Sequence, residues 1–265
     1  MKIAVLGCGW LGLPLAERLI AEGHTVNGST TTEAKMEMLQ EKQITPFLLS
    51  LQEDTIEGDI EGLLHDIEVL IVNVPPGLRK STATNFVAKI KVLISAIEKS
   101  GVQKVVFVSS TSVYGANQGE VTEDTIPEPN TESGRQLLAV ENLLNNTTSF
   151  KTAIIRFAGL IGPDRHPIKF LSGKRDLKNG KELIHLIQFE DCIKLILKIL
   201  RTDEFPFLLN AVYPSSLTKQ EYYTKIAEVK NVECPYFTDN KWNSEVKVVR
   251  SKFSQYSVNV SILKC

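Results

Sequence analysis

The chain is poor in the features that staple, metallate or anchor a fold. Its four cysteines, Cys8, Cys192, Cys234 and Cys265, are scattered with no C-x-x-C pair, which excludes a disulfide frame and a zinc ribbon as its organising principle. The four histidines, at 24, 65, 166 and 185, are equally dispersed, and no metal site is expected. Neither sign of charge is in excess. The 30 Lys and Arg against 31 Asp and Glu leave a net charge of -1, so nothing draws the whole molecule to nucleic acid. Lys241, Lys247, Arg250 and Lys252 gather around Trp242, but Glu245 interrupts them and they read as solvated residues. No apolar run approaches the roughly 20 residues that span a bilayer. The run before Gly7 is too short for the core of a signal peptide. A cytoplasmic protein without membrane or nucleic-acid partners is expected. Repeats, low-complexity tracts and flexible linkers are missing as well, so the parts of the chain should pack on one another.

What is present is alternation. At 265 residues and 43% hydrophobic, the chain can bury a substantial core. Apolar runs of strand length stand at 2–6, 25–28, 46–50, 69–73, 104–108 and 152–157. Helical periodicity fills 13–22, 82–100 and 135–146, with Phe86, Ile90, Leu93, Ile94 and Ile97 on one face of the second. Strands alternating with helices predict βαβ units and a doubly wound, mainly parallel α/β sheet. The acidic stretch 52–68 reads as a solvated short helix with its loops. After Phe157 the alternation stops: a loop "AGLIGPDRHP", a helix at 189–201 and a strand at 207–212 predict a small mixed α/β cap. The expected division is 1–157 for the main domain and 158–265 for a substrate-side cap with elements returning to the main sheet.

"GCGWLG" places Gly7, Gly9 and Gly12 between the first strand and the first helix. There, glycines permit a tight turn, and the backbone amides of Gly9, Trp10, Leu11 and Gly12 at a helix N-terminus can grip a pyrophosphate. Trp10 itself reads as a packing residue. An acidic residue ending the second strand would favour NAD. The chain instead has Ser29, Thr30, Thr31 and Thr32, with Lys35 one turn on, which favours NADP, NAD being the second choice; Thr32 alternatively caps the next helix. "NVPPG" at 73–77 ends the fourth strand, with Val74 and Pro75 set either to contact the cofactor or merely to close a loop. "SSTSVYG" at 109–115 ends a strand in four hydroxyls, Ser109 to Ser112. They either turn the chain by bonding nearby backbone or face a ligand.

"GCGWLG", "VVFVSSTSVYG", "IIRFAGLIGP" and "FEDCIKLIL", in that order and spacing, resemble the extended branch of the short-chain dehydrogenase/reductase superfamily, the NAD-dependent epimerases and dehydratases of Rossmann fold. The resemblance implies that Ser110 holds the reacting carbonyl or hydroxyl and that Ser109 borders the cofactor. Thr111 and Ser112 stand where the dehydratases carry Asp and Glu. The family's Tyr and Lys fall on Ser133 and Leu137, which makes the chain similar to the atypical members. Tyr114 is a candidate substitute, although a phenol needs a nearby cation to serve as a base near neutrality. Arg135, or Arg165 and His166 in "GPDRHP", could meet an anionic substrate or stand solvated, and Asp191 reads as a first-turn helix charge. The expectation is an NADP-dependent oxidoreductase or epimerase acting on a small polar or nucleotide-sugar substrate, as monomer or homodimer. The alternative is a non-catalytic NADP-binding regulatory module.

Overall fold

The computed structural model describes residues 1–77, 85–162, 164–202, 205–238, 246–256, 258–259 and 261–263. In chain order the elements are β1 (Lys2–Leu6), α1 (Gly12–Ala21), β2 (Thr25–Thr30), α2 (Met36–Glu41), β3 (Thr45–Leu51), β4 (Ile56–Gly58), α3 (Ile60–Leu64), β5 (Val69–Val72), α4 (Phe86–Glu98), β6 (Lys104–Ser110), β7 (Glu120–Val121), α5 (Glu132–Asn146), β8 (Lys151–Phe157), β9 (Gly159–Ile161), α6 (Ile168–Leu171), β10 (Leu186–Gln188), α7 (Phe189–Leu200), β11 (Phe207–Ala211), α8 (Lys219–Lys230) and β12 (Val248–Val249). Eight strands form one sheet in the order β11-β8-β6-β5-β1-β2-β3-β4. Every pairing in it is parallel except β3 with β4. The chain leaves β1 toward β2 and later returns to its other side at β5, so the strand order reverses there and opens a crevice at the carboxyl ends of both strands.

The sheet's centre is apolar on both faces, which is why its strands read as continuous rather than alternating runs. Ile3, Val5, Leu6, Leu70 and Ile71 are at most 1% exposed, and burial of each such side chain stabilises the fold by about 1.5–3 kcal/mol. Helix α4 covers the sheet with Phe86, Ile90, Leu93 and Ile97, and the Asn85 side chain caps it by accepting from Ala88 N at 3.0 Å. Residues 82–84 of the expected helix, together with Pro163, Lys241, Trp242, Glu245 and Cys265, lie outside the described residues. Among the described residues no helix is long and apolar enough to cross a membrane, and no group of three or more His, Cys, Asp or Glu could hold a metal ion.

Several elements depart from the sequence reading. Within 52–68 the chain forms the edge strand β4 before helix α3; Gly58 bends back at φ 100°, where an added Cβ would lie 2.1 Å from the Leu48 carbonyl oxygen. A three-residue edge strand carrying Glu57 is too short and too charged to show a period. Strand β2 runs two residues past 28, because Ser29 and Thr30 continue pairing with Phe47 and Leu48. Helix α5 starts three residues early, where the Thr131 hydroxyl accepts from Gly134 N at 3.1 Å. The loop after Phe157 contains β9, which pairs in parallel with β10.

The later part of the chain divides its loyalties. Strand β11 joins the main sheet beside β8 and α7 packs into the main core, while Ile161, Ile168, Leu186, Tyr222 and Ile226 form a second cluster beneath the cap. Two histidines stitch the cap with unprotonated ring nitrogens. His166 Nδ1 accepts from Ile168 N at 3.1 Å, which leaves the proton on Nε2, 2.8 Å from the Tyr222 hydroxyl; that hydroxyl donates to Ile262 O at 2.9 Å. His185 Nε2 accepts from Val249 N at 3.1 Å. Burial, with positive neighbours, lowers both to about 4 from 6.5. The unfolded chain therefore binds more protons than the folded one between about pH 6.5 and 4. Stability should be whole above pH 6.5 and fall on acidification, by up to about 1.4 kcal/mol per pH unit for each histidine. Thermal melts from pH 8 to 4.5 should show this slope, and His166→Gln with His185→Gln should flatten it; an unchanged slope in that double variant would refute the assignment.

Candidate functional site

The crevice between β1 and β5 is walled by two loops fitted to one another. Gly7 turns at φ 101°, and a Cβ there would lie 2.6 Å from Asn73 O. At Gly12 it would lie 2.1 Å from Gly7 O and 2.9 Å from Asn73 Nδ2. Asn73 ties the loops together, donating its backbone N–H to Leu6 O at 2.9 Å and its side-chain amide to Gly7 O at 3.1 Å. Gly9 differs: nothing lies within 4 Å of where its Cβ would stand. Helix α1 begins just beyond, with Leu11 at its N-cap position, no side-chain cap and no acidic residue in its first turn. A helix start lacking both offers free N–H groups and a positive dipole end to an anion. The residues present thus fit a dinucleotide's diphosphate, with the cradle at Gly9 and the amides running to Gly12. Cys8, inside the loop, is 4% exposed and its thiol is pushed up to about 12 by burial, so it is an inert packing residue.

Trp10 points its side chain out of the crevice. Its indole N–H donates to Asp164 Oδ1 at 2.8 Å, its ring lies 5.7 Å from that of Phe189, and the Arg165 guanidinium sits 4.9 Å over it. A Cβ on Gly162 would come within 2.7 Å of the indole. The tryptophan therefore packs the glycine loop against the 162–165 turn, while its backbone stays with the loop. Val74 lines the same crevice, its Cγ1 3.2 Å from a Cβ placed on Gly7, and Pro75 is exposed.

At the end of β2 the hydroxyls divide their work. Ser29 Oγ accepts from Gly7 N at 2.9 Å and Thr30 Oγ1 from Thr32 N at 3.1 Å, so both shape the loop. Thr31 and Lys35 are exposed, Lys35 in a single 3-10 turn, and Thr32 makes no side-chain cap.

The hydroxyls after β6 divide too. Ser109, 5% exposed, donates to Glu141 Oε1 at 2.5 Å. Glu141 in turn holds Arg156, whose Nε lies 3.1 Å from both carboxylate oxygens and whose Nη2 lies 2.6 Å from Oε2. Arg156 Nη1 donates to the Tyr114 hydroxyl at 2.7 Å, beside Thr122 O at 2.7 Å and Asn210 Oδ1 at 3.1 Å. Tyr114 is 1% exposed and burial raises its pKa, with Arg156 pulling the other way. Ser110 is half-buried and accepts from Ser112 N at 3.1 Å, which fixes its rotamer and leaves its own proton to donate. The α5 N-terminus abuts this turn so closely that a Cβ on Gly134 would lie 2.2 Å from Ser112 O. Ser133 is half-buried there, and Leu137 is 3% exposed.

The remaining candidates scatter. Arg135 pairs with Glu132 at 3.1 Å on the surface, His166 is a buried cap residue, and Asp191 is a buried first-turn acid of α7. The sequence reading missed Asn73 as the tie between loops, the Glu141–Arg156 pair, and the reach of Lys247 onto the Thr111 and Tyr114 carbonyls. An arginine inside the apolar run "TAIIRF" signals a buried carboxylate partner, since an unpaired buried charge is costly. Lys247 carries no comparable signal.

A family model described as NAD(P)H-binding matches residues 7–201. Protein YeeZ of Escherichia coli K12 is 31% identical over 250 residues, covering 94% of this chain and 90% of its own. An uncharacterized UDP-glucose epimerase, YtcB of Bacillus subtilis, is 28% identical over 233 residues, covering 76% and 72%. Two solved structures share the fold. UDP-glucose 4-epimerase of Thermotoga maritima, with UDP-glucose, superposes with a TM-score of 0.80 at 19% identity, over 99% of this chain and 95% of that one. UDP-glucuronic acid 4-epimerase of Bacillus cereus, with NAD, gives 0.77 at 20% identity over the same shares, 99% and 95%.

Proposed function

The chain belongs to the NAD(P)H-binding family within the short-chain dehydrogenase/reductase superfamily, and from that premise we propose that it is an NADP-dependent oxidoreductase or epimerase of a small polar substrate, a nucleotide sugar being the favoured class. The observation that carries this reading is the open cradle at Gly9 before an uncapped helix. A nicotinamide dinucleotide supplies a hydride donor or acceptor. Gly9 to Gly12 hold its diphosphate, and Val74 and Pro75 form the edge beside it. Around its adenosine ribose, Thr31 and Lys35 are exposed where a carboxylate would repel a 2′-phosphate, which favours NADP. The nucleotide-sugar class comes from the epimerases that share the fold.

Ser110 orients the substrate oxygen through its free hydroxyl proton. Tyr114 serves a different purpose: with its hydroxyl enclosed by Arg156, Thr122 and Asn210, it braces the wall of the site and does not exchange protons with a ligand. Leu137, buried at the family's lysine position, is the feature that favours the second reading, a non-catalytic NADP-binding module.

Titration by nicotinamide fluorescence should give NADPH about tenfold tighter binding than NADH, worth about 1.4 kcal/mol, and Lys35→Met should erase the difference. Tighter NADH binding would reverse the cofactor assignment. Ser110→Ala should lower turnover at least tenfold without changing NADPH affinity. Turnover equal to the parent's would remove Ser110 from its role, and no hydride exchange with any carbonyl substrate would select the non-catalytic module.

A further inference from the structure

An ammonium lies over the backbone of the hydroxyl turn. Lys247, just before β12, sends its Nζ to Thr111 O and Tyr114 O, 3.2 Å from each. Its backbone is pinned over the same turn: Lys247 N donates to Ala116 O and Val248 N to Gly119 O, both at 2.8 Å, and Val249 N donates to His185 Nε2 at 3.1 Å. The side chain is thus delivered to the residue following Ser110 by a strand bonded on both sides.

Two neutral carbonyls do not satisfy an ammonium, which has three donors and a full charge. Among the described residues no carboxylate stands within 4.0 Å of Lys247 Nζ. The ionisable groups facing it come from each packed element. Lys219 of α8 is paired with Glu182, Arg250 lies 3.7 Å from Glu120 of β7, and His185 before β10 is neutral because its Nε2 accepts a hydrogen bond. Both carboxylates among these groups are already engaged, Glu182 by Lys219 and Glu120 by Arg250. Burial, then the charge of Lys219, holds the Lys247 ammonium below the usual lysine range against the opposing pull of Glu182. A half-buried cation with no carboxylate within 4.0 Å among the described residues is stabilised by an incoming anion more than a surface lysine is, because its desolvation is already incurred.

We propose that Lys247 is the receptor for an anionic group of the substrate, a carboxylate or a phosphoryl oxygen, at the edge of the Ser110–Ser112 turn; the assignment rests on the substrate cleft proposed above. It gives the site a charged contact from the cap where the family's lysine, on α5, is replaced by Leu137.

Acylation of the intact protein with acetic anhydride, quantified for each lysine by peptide mass spectrometry, tests this. Compared with sodium chloride at equal ionic strength, inorganic phosphate or acetate should cut Lys247 labelling about threefold, the free fraction left when anion stands at about twice its Kd. Labelling of exposed Lys91 and Lys252 should not change. Protection by phosphate alone assigns a phosphoryl group, and by acetate alone a carboxylate; protection by both supports a general anion receptor. Failure of both anions to protect, or failure of Lys247 to label, overturns the proposal. NADPH titration of the same sample separates the two readings: absent NADPH binding removes the dinucleotide assignment, whereas binding without anion protection removes only the role of Lys247.

Discussion

Gly9→Ala is expected to bind NADPH about 100-fold more weakly than the parent, a loss of about 2.7 kcal/mol, while melting within about 2 °C of it, a shift of less than about 1 kcal/mol. The two effects separate because the added methyl meets nothing within 4 Å beyond its own chain neighbours, and the space it enters is the proposed diphosphate cradle. Gly12→Ala makes the contrast. Its Cβ would meet the Gly7 carbonyl oxygen at 2.1 Å and the Asn73 amide at 2.9 Å, and backbone held by the sheet cannot yield cheaply. That variant should lose about 3 kcal/mol and about 6–12 °C in melting temperature as well as its nucleotide. Fluorescence titration and differential scanning fluorimetry on the two variants suffice. Parent-like affinity in Gly9→Ala would remove the diphosphate from this loop.

The second large effect lies under the hydroxyl turn. Glu141→Leu strands Arg156 in the core; the two side chains of this pair are 2% and 5% exposed. Removing one partner of a buried ion pair costs about 3–5 kcal/mol, because the other charge stays desolvated and unpaired. Urea unfolding should register that loss, together with a loosening of Tyr114, which takes a hydrogen bond from the same guanidinium. Glu141→Leu with Arg156→Leu should recover much of the stability, since neither charge then remains. A double variant as unstable as the single one would mean that the pair is not coupled. Activity divides the question further, for Ser109 is bonded to Glu141 and its neighbour is Ser110, the residue proposed to orient the substrate.

The main sheet was legible because its strands are continuous apolar runs and its helices carry one apolar face. "VLIVN" and "KVVFV" leave little choice. The glycine loop was legible because its spacing falls between a strand and a helix. The cap was harder to read. Helix α8 has a mixed polar surface and no strong stripe, and only the capping box of Thr218 and Glu221 announces it. Strands β9 and β10 are three residues each, too short for any period to emerge. For the hydroxyl turn, the chain-turning reading holds at Ser110, which accepts from Ser112 N, whereas Ser109 serves a buried carboxylate that the sequence did not suggest. Which hydroxyl does which depends on Glu141, 32 residues away, and on Arg156, and no local pattern encodes that meeting. Lys247 was invisible for the same reason, reaching Thr111 across 136 residues.

The indole of Trp10 works as a latch between two parts of the molecule. Its main chain belongs to the glycine loop, while its ring is pinned by Asp164, Arg165 and Phe189 on the far side. A shift of the glycine loop tugs on Asp164 and Arg165, and a shift of those residues disturbs the loop. The two segments are therefore geared together through a single ring.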